Sequence, residues 1–335
     1  MNNIFENVNG IKIEVSPKIQ LFSILMILSN EKEKDQFKRL FNFHNGNNAY
    51  YKEIENSFAY LKSSKLINDF NYLNDKYNFH YQNAFEYALC LDDNFEFKSY
   101  TNNIFINEET KQFNQSLKEF YYSERFIQFY NEHLDEYKDW IESIKKDYER
   151  YDVITHLEKY CGNIVSSKKY YIDFISCETG GGYSIYLDDE IHYCFRVKSS
   201  CKDNRYFYKE DSKRNIPICV HEFLHGIINP LTIKYNLFNF ESHYFNGGIP
   251  FLGYGNDFAM FNEYTVRALT IRIISIMFGK DYEKDLIDEE VNTGFAYMEE
   301  LINLLKVYEE HRNKYITIDD FMKSINDFFT NNLSN

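Results

Sequence analysis

The sequence predicts an α+β fold that is mostly helical, with a helical N-terminal half and a small sheet beside one central helix. Three observations predict it. Apolar residues recur every three or four positions through most of the chain, which is typical of amphipathic helices. Short alternating runs at the N-terminus and after Gly162 favour strands. The 335 residues, 44% hydrophobic and 19% aromatic, are enough to fill one large core or two modest ones.

The chain begins with a pattern that predicts a β-hairpin followed by a buried helix. Residues 3–15 alternate around Asn9-Gly10, the strongest short-range signal for a two-residue hairpin turn. Ser16-Pro17 is typical of a helix start, and the apolar run from Ile19 to Leu28 is too short to span a bilayer. No basic region or cleavage site accompanies this run. We therefore expect no membrane span and a cytoplasmic location, with export without a leader as the alternative.

Helical periodicity then dominates up to about residue 160. The predicted helices there cover residues 48–62, 65–77, 112–135 and 137–159. Strands are predicted over residues 170–176, 183–187 and 191–197, and a bend over the glycines at 180–182. The last predicted helices cover residues 216–229, 257–278, 281–311 and 317–331. This change of pattern predicts a hairpin and helical region at 1–160 and a second region at 161–335, with a single domain as the alternative.

Charge and cysteine content exclude some classes of protein. The net charge is −14, from 37 basic and 51 acidic residues, and no basic stripe follows any predicted helix. We therefore expect no nucleic-acid partner, because an acidic surface repels phosphate backbones. The six cysteines form no C-x-x-C pair, which favours buried free thiols in a reducing compartment. No pattern indicates an oligomeric state.

The residues with the clearest chemistry are His221 to His225, which read HEFLH. Histidines four apart on a helix lie on one face, so both imidazoles can reach one ion, and zinc prefers such ligands. Glu222 is rotated by about 100° from His221, which suits a general base acting on water rather than a ligand. Asn215 is expected to cap this helix and Asn229-Pro230 to end it. The alternative is a pair of hydrogen-bonded core histidines.

Glu263 is the expected third metal ligand. It lies early in the predicted helix 257–278, where a partly buried carboxylate needs a partner. A zinc ion is one such partner, and a salt bridge with Arg267, four residues on, is the alternative. Two other residues, Glu241 and His243, are alternative candidates for the third metal ligand. They lie in the Gly-rich loop that follows the helix carrying HEFLH.

Three residues of the same loop region are candidates for a contribution to catalysis. His243 and Tyr254 are candidate donors to the oxyanion of a tetrahedral intermediate, as is Tyr244. For each of them an ordinary surface position is the alternative. The strand over 183–187 is expected to lie at a sheet edge, where it could hold an extended peptide by main-chain pairing.

These stretches resemble a known pattern. HEFLHGIINP followed by NEYTVRA is similar to the gluzincins, zinc peptidases with HExxH and a distal Asn-Glu on a helix. More specifically, the chain resembles a bacterial zincin-like family, a domain of unknown function with V-x-P before an apolar helix and HExxHxxxNP. Here the V-x-P is Val15-Ser16-Pro17. The resemblance implies a zincin-like fold, a metallopeptidase, ligands His221, His225 and Glu263, and Glu222 as the base.

One position departs from the thermolysin-like members. They carry an aspartate four residues after the ligand glutamate, where it orients a ligand histidine, and this chain has Arg267 there. Support for the histidines must then come from other residues.

The expected function is hydrolysis of peptide bonds in a peptide or protein substrate, with one Zn²⁺ per chain and Glu222 as general base. Two alternatives remain open from the sequence. One is a non-catalytic binding or scaffold protein with a zincin fold. The other is a toxin or effector protease with one protein target. An intact HExxH favours the hydrolase, because a scaffold has little need for Glu222.

Overall fold

A computed structural model describes residues 1, 3–29, 49–77, 82–99, 105–176, 182–196, 200–202, 205–207, 211–237 and 256–333. Over these ranges the protein has thirteen α-helices, one short 3₁₀ helix, a five-stranded mixed sheet and a two-stranded ribbon. The prediction of a mostly helical α+β protein with a small sheet is therefore confirmed.

The sheet begins with the predicted hairpin, β1 (Ile4–Val8) and β2 (Ile11–Val15), which pair antiparallel. Asn9 and Gly10 both have positive φ, 47° and 82°, as the tight turn requires. The remaining strands are β3 (Lys169–Ile175), β4 (Gly182–Leu187) and β5 (Glu190–Arg196). Their order is β1-β2-β3-β5-β4, with β2 and β3 parallel, so β4 lies at an edge as expected. The ribbon of β6 (Ser200–Lys202) and β7 (Arg205–Phe207) was not predicted.

Seven helices lie between β2 and residue 150. They are α1 (Pro17–Leu28), α2 (Ala49–Ser57), α3 (Lys65–Tyr77), α4 (Gln82–Leu89), α5 (Glu108–Tyr121), α6 (Glu124–Glu132) and α7 (Leu134–Arg150). Every residue of α1 except Lys18 is buried, so the expected buried helix is confirmed. The single helix expected over 112–135 is wrong, because the Ser123 hydroxyl accepts from the Phe126 amide and starts a new helix.

Six helices follow or flank the strands. They are α8 (Val153–Cys161), α9 (Ser212–Tyr235), α10 (Asp257–Phe278), α11 (Asp281–Asn292), α12 (Met298–Glu310) and α13 (Ile318–Leu333). The single helix expected over 281–311 is wrong. Gly294 has a φ of 112°, and this turn buries Phe295 completely between α11 and α12.

Contacts divide the chain into two compact units. One comprises residues 1–146 and 170–210, and it holds the five-stranded sheet; the other comprises residues 147–169 and 211–335, and it holds α8 to α13. The sequence pattern predicts one boundary near residue 160, with all earlier residues in one region and all later residues in the other. Each compact unit instead includes residues from before and after position 160. The expected division at 160 stays a prediction, because contacts alone do not show that a unit folds by itself.

Helix α9 is longer than the predicted 216–229. It begins at Ser212 because the buried carboxylate of Asp147 accepts from the Ser212 hydroxyl and from the Asn215 amide, at 2.5 and 2.7 Å. Asn215 is therefore inside the helix and not its cap. The helix also continues past Pro230, since the buried Thr232 hydroxyl donates to Asn262 on α10 at 2.7 Å and anchors the next turn.

Helix α9 is also the one helix of the described ranges that is long and apolar enough to cross a membrane, judged by length and composition. Of its apolar window, 56% is buried inside the protein. Buried core helices pass the same test of length and composition, so the expectation of no membrane span stays a prediction.

Candidate metal centre

The two histidines of the motif lie one turn apart on α9, and their rings meet edge to face. Their Nε2 atoms are 3.1 Å apart and their ring centroids 4.7 Å apart. Burial of the flanking Val220, Phe223 and Leu224 fixes the face of α9 that these rings occupy. The side chains are 18% and 12% exposed, so the rings lie at the rim of the core.

Glu263 on α10 completes the cluster. Its Oε1 lies 3.2 Å from Nε2 of His225, and its Oε2 lies 3.8 Å from Nε2 of His221. Asn256 caps α10 by accepting from the Ala259 amide at 2.8 Å, which sets where the helix begins. The expected convergence of two imidazoles and one carboxylate is what the described residues show.

The three side chains come close to the spacing of a zinc site. Ligand atoms bound at about 2.0–2.1 Å to a tetrahedral zinc lie about 3.3–3.4 Å from one another. Nε2 of His225 lies 3.1 Å from Nε2 of His221 and 3.2 Å from Oε1 of Glu263, whereas the Glu263 oxygen that lies 3.8 Å from Nε2 of His221 is Oε2. One ligand atom from each side chain lies within 4.8 Å of the other two. Among the described residues this is the one group of three that meets the spacing. Two nitrogens and one oxygen also match the preference of zinc for mixed ligands.

Asn229 orients His225. The Asn229 Oδ1 lies 3.3 Å from Nδ1 of His225, and a carbonyl oxygen can only accept a hydrogen bond. The proton of a neutral ring then sits on Nδ1, which leaves the lone pair of Nε2 directed at the cluster. This role was missed from the sequence, which assigned Asn229 to the helix end. The signal was its distance of four residues from His225, which places both on one face of α9.

Arg267 binds the same carboxylate. Its Nε donates to Oε2 of Glu263 at 3.0 Å, while Oε1 is the oxygen nearer to His225. The two roles considered for Glu263, metal ligand and partner of Arg267, are compatible, because Oε1 faces His225 while Oε2 accepts from Arg267 and lies 3.8 Å from Nε2 of His221. The Nη1 of Arg267 donates to both oxygens of Glu290 on α11 at 2.9 Å. Nothing in the local sequence pairs Glu290 with residue 267, which lies on a different helix.

The protonation states of the cluster suit a cation. Burial raises the pKa of Glu263, but the hydrogen bond from His225 and the charges of both histidines and Arg267 bring it down to about 2. Burial and the charge of His225 lower the pKa of His221 to about 3. At neutral pH the carboxylate is therefore ionised and His221 is neutral.

His225 behaves differently from His221. Burial acts to lower its pKa, but the hydrogen bond to Glu263 and the charges of Glu263 and Glu222 outweigh burial and raise it. A divalent cation competes with this proton, so we expect metal binding to weaken as the pH falls.

Glu222 lies inside the protein, with 8% of its surface exposed. Its charge contributes to the raised pKa of His225. Glu241, His243, Tyr244 and Tyr254 lie outside the described residues.

One comparison with known proteins gives a match. The chain matches the family described as Domain of unknown function (DUF4932) over residues 11–327. No curated protein and no solved structure matches the chain. The match covers nearly the whole chain, in agreement with the expected resemblance to a domain of unknown function. The chain therefore belongs to the DUF4932 family.

Proposed function

We propose that this chain is a zinc-dependent peptide hydrolase of the gluzincin type. His221, His225 and Glu263 would hold the metal, and Glu222 would be the general base. The observation that carries the proposal is the convergence of His221, His225 and Glu263 from two consecutive helices, with one ligand atom of each within 4.8 Å of the other two. Three protein ligands leave one position open, as in catalytic rather than structural zinc sites.

A bound zinc ion would polarise the scissile carbonyl and make water more acidic. The protein supplies the proton transfers. Glu222 would accept a proton from the attacking water and deliver it to the nitrogen of the leaving amine. Glu222 follows His221 directly and is rotated by about 100° around α9, so its carboxylate does not compete for the ligand positions.

Two carboxylates favour a hydrolase over a scaffold protein with the same fold. A scaffold would require neither a buried carboxylate beside the histidine pair nor an ionised Glu263. Arg267 is already a partner of Glu263, and a divalent cation at the cluster would place a second positive charge beside the same carboxylate.

Metal content tests the ligand set. We expect elemental analysis of the purified protein to give about one zinc per chain, because all three side chains already face one point. Glu263→Ala should weaken zinc binding by more than about 100-fold, since it removes a ligand. The matched control is Glu299→Ala, an exposed glutamate on α12, which should leave the affinity unchanged. Full metal retention in Glu263→Ala would transfer the third ligand to another residue.

Turnover tests the role of Glu222. We expect Glu222→Gln to keep the zinc and to lower hydrolysis of a fluorogenic peptide library by about 10²–10⁴-fold, the usual contribution of a general base. Glu299→Gln, with the same loss of one charge at an exposed position, serves as the control. Equal turnover in parent and Glu222→Gln would remove this residue from the mechanism. No turnover in the metal-loaded parent would favour the scaffold.

A further inference from the structure

The carboxylate of Glu263 is divided between two partners. Its Oε1 lies 3.2 Å from Nε2 of His225, and its Oε2 accepts from Nε of Arg267 at 3.0 Å. Only 9% of the Glu263 side chain is exposed, so water competes little for either oxygen. A carboxylate used by zinc alone could bind with one oxygen or with both. Here the second oxygen, Oε2, already accepts from Arg267, and it lies 3.8 Å from Nε2 of His221, farther than Oε1 lies from Nε2 of His225.

Arg267 is itself fixed in place. Its Nη1 donates to both oxygens of Glu290 at 2.9 Å, and its guanidinium carbon lies 4.5 Å from the ring centroid of Phe295. Phe295 is completely buried and packs edge-to-face on Tyr264, with ring centroids 4.8 Å apart. The side chains of Arg267 and Glu290 are 21% and 19% exposed. These contacts hold the plane of the guanidinium and therefore the direction of its Nε.

We propose that Arg267 and Glu290 form a clamp that restricts Glu263 to one metal-binding oxygen. We call these two side chains the guanidinium clamp; they are positioning residues and not ligands. The inference rests on the proposed metal centre and deepens it. The clamp keeps a coordination position open for water and substrate, because a carboxylate bound through both oxygens would occupy it.

A purely charge-neutralising arginine would not need this geometry. The bond to Glu263 comes from Nε, on the side of the guanidinium, while Nη1 is used for Glu290. A lysine has one ammonium group and cannot make both bonds from two fixed nitrogens. The clamp therefore depends on the shape of arginine as well as on its charge.

Zinc affinity tests the clamp, measured by competition with a coloured chelator. We expect Glu290→Gln to weaken zinc binding by about 10–100-fold, as is usual when a residue that orients a ligand is lost. Glu290 touches no metal ligand directly, so this variant keeps all three. The matched control is Glu289→Gln, the neighbouring exposed glutamate on α11, which should bind zinc as the parent does. Arg267→Lys should lose affinity like Glu290→Gln.

The visible absorption of bound Co²⁺ provides a second measurement. It would not change if Arg267 and Glu290 only stabilised the fold. Co²⁺ in a four-coordinate site absorbs visible light far more strongly than Co²⁺ with five or six ligands. Loss of the clamp frees both oxygens of Glu263, so the cobalt forms of Glu290→Gln and Arg267→Lys should absorb less than the parent and the control.

The outcomes separate the clamp from the metal centre. Weaker zinc binding and a changed cobalt spectrum in both clamp variants, with a normal control, support the clamp. Parent-like affinity and spectrum in Glu290→Gln and Arg267→Lys overturn the clamp and leave the metal centre intact. A parent protein that binds neither zinc nor cobalt overturns the metal centre and the clamp together.

Discussion

Single residues decide whether the cluster on α9 and α10 can hold a metal. The HEFLH spacing predicted two imidazoles on one helix face, and the described residues bring Glu263 to them. Local spacing sufficed for the two histidines, because a helix fixes which side chains share a face, whereas Glu263 was expected from its place early in a partly buried helix. Local spacing could not find Glu290, since contacts between separate helices depend on how the helices pack. The role of Asn229 could have been predicted from the same spacing, because Asn229 lies four residues after His225 and therefore on the same helix face.

Asn229 provides a prediction at this scale. We expect Asn229→Ala to weaken zinc binding by about 10–100-fold, because Nδ1 of His225 loses the acceptor that fixes its proton and its ring. Asn229→Asp keeps an acceptor at the same place and should bind zinc at least as well as the parent. Chelator competition on the three proteins measures the difference. If the alanine variant binds zinc like the parent, the orientation of His225 has another source.

At the scale of elements, the start of α9 depends on a distant residue. The side chain of Asp211, at the N-cap position, makes no capping bond. Asp147, at the end of α7, takes that role by accepting from the side chains of Ser212 and Asn215 and from the Asp211 amide. Sequence patterns favour caps that are adjacent in the chain, which is why Asn215 was misassigned. Helix existence was predictable from periodicity, but helix ends depended on such tertiary contacts.

We expect Asp147→Asn to destabilise the protein by about 2–4 kcal/mol. The buried amide would present donors to groups that are themselves donors, and the negative charge at the N-terminus of α9 would be lost. Urea denaturation followed by circular dichroism measures the effect. Asp139→Asn, an exposed aspartate on the same helix α7, is the control and should change stability by less than about 0.5 kcal/mol. Equal midpoints for the two variants would show that the cap is dispensable.

For the whole molecule, stability has a second electrostatic contribution in the five-stranded sheet. His192 on β5 is 3% exposed, and its Nδ1 lies 2.7 Å from Oδ2 of the fully buried Asp173 on β3. Burial acts to lower the pKa of His192, but the charge and hydrogen bond of Asp173, together with Glu190, outweigh it and raise the pKa to about 9. The sequence marked both positions as strand residues, but it could not show that they meet, because the order of strands is not local.

The raised pKa predicts how stability depends on pH. The unfolded value is near 6.5, so the stabilisation from His192 is fully present below pH 6.5 and is lost as the pH rises through about 9. Its size is on the order of 2–4 kcal/mol. We expect the difference in unfolding free energy between parent and His192→Gln to shrink between pH 6.5 and pH 9.5. A difference that stays constant over this range would mean that His192 is neutral in the folded protein.

The order of the site residues along the chain has a consequence for synthesis on the ribosome. His221 and His225 are translated before Glu263, and Arg267, Glu290 and Phe295 come later. A nascent chain therefore exposes the two imidazoles of the proposed metal centre before the carboxylate that would complete it exists. Metal captured at that stage would be weakly held, and tight retention would begin only when α10 and α11 have left the exit tunnel.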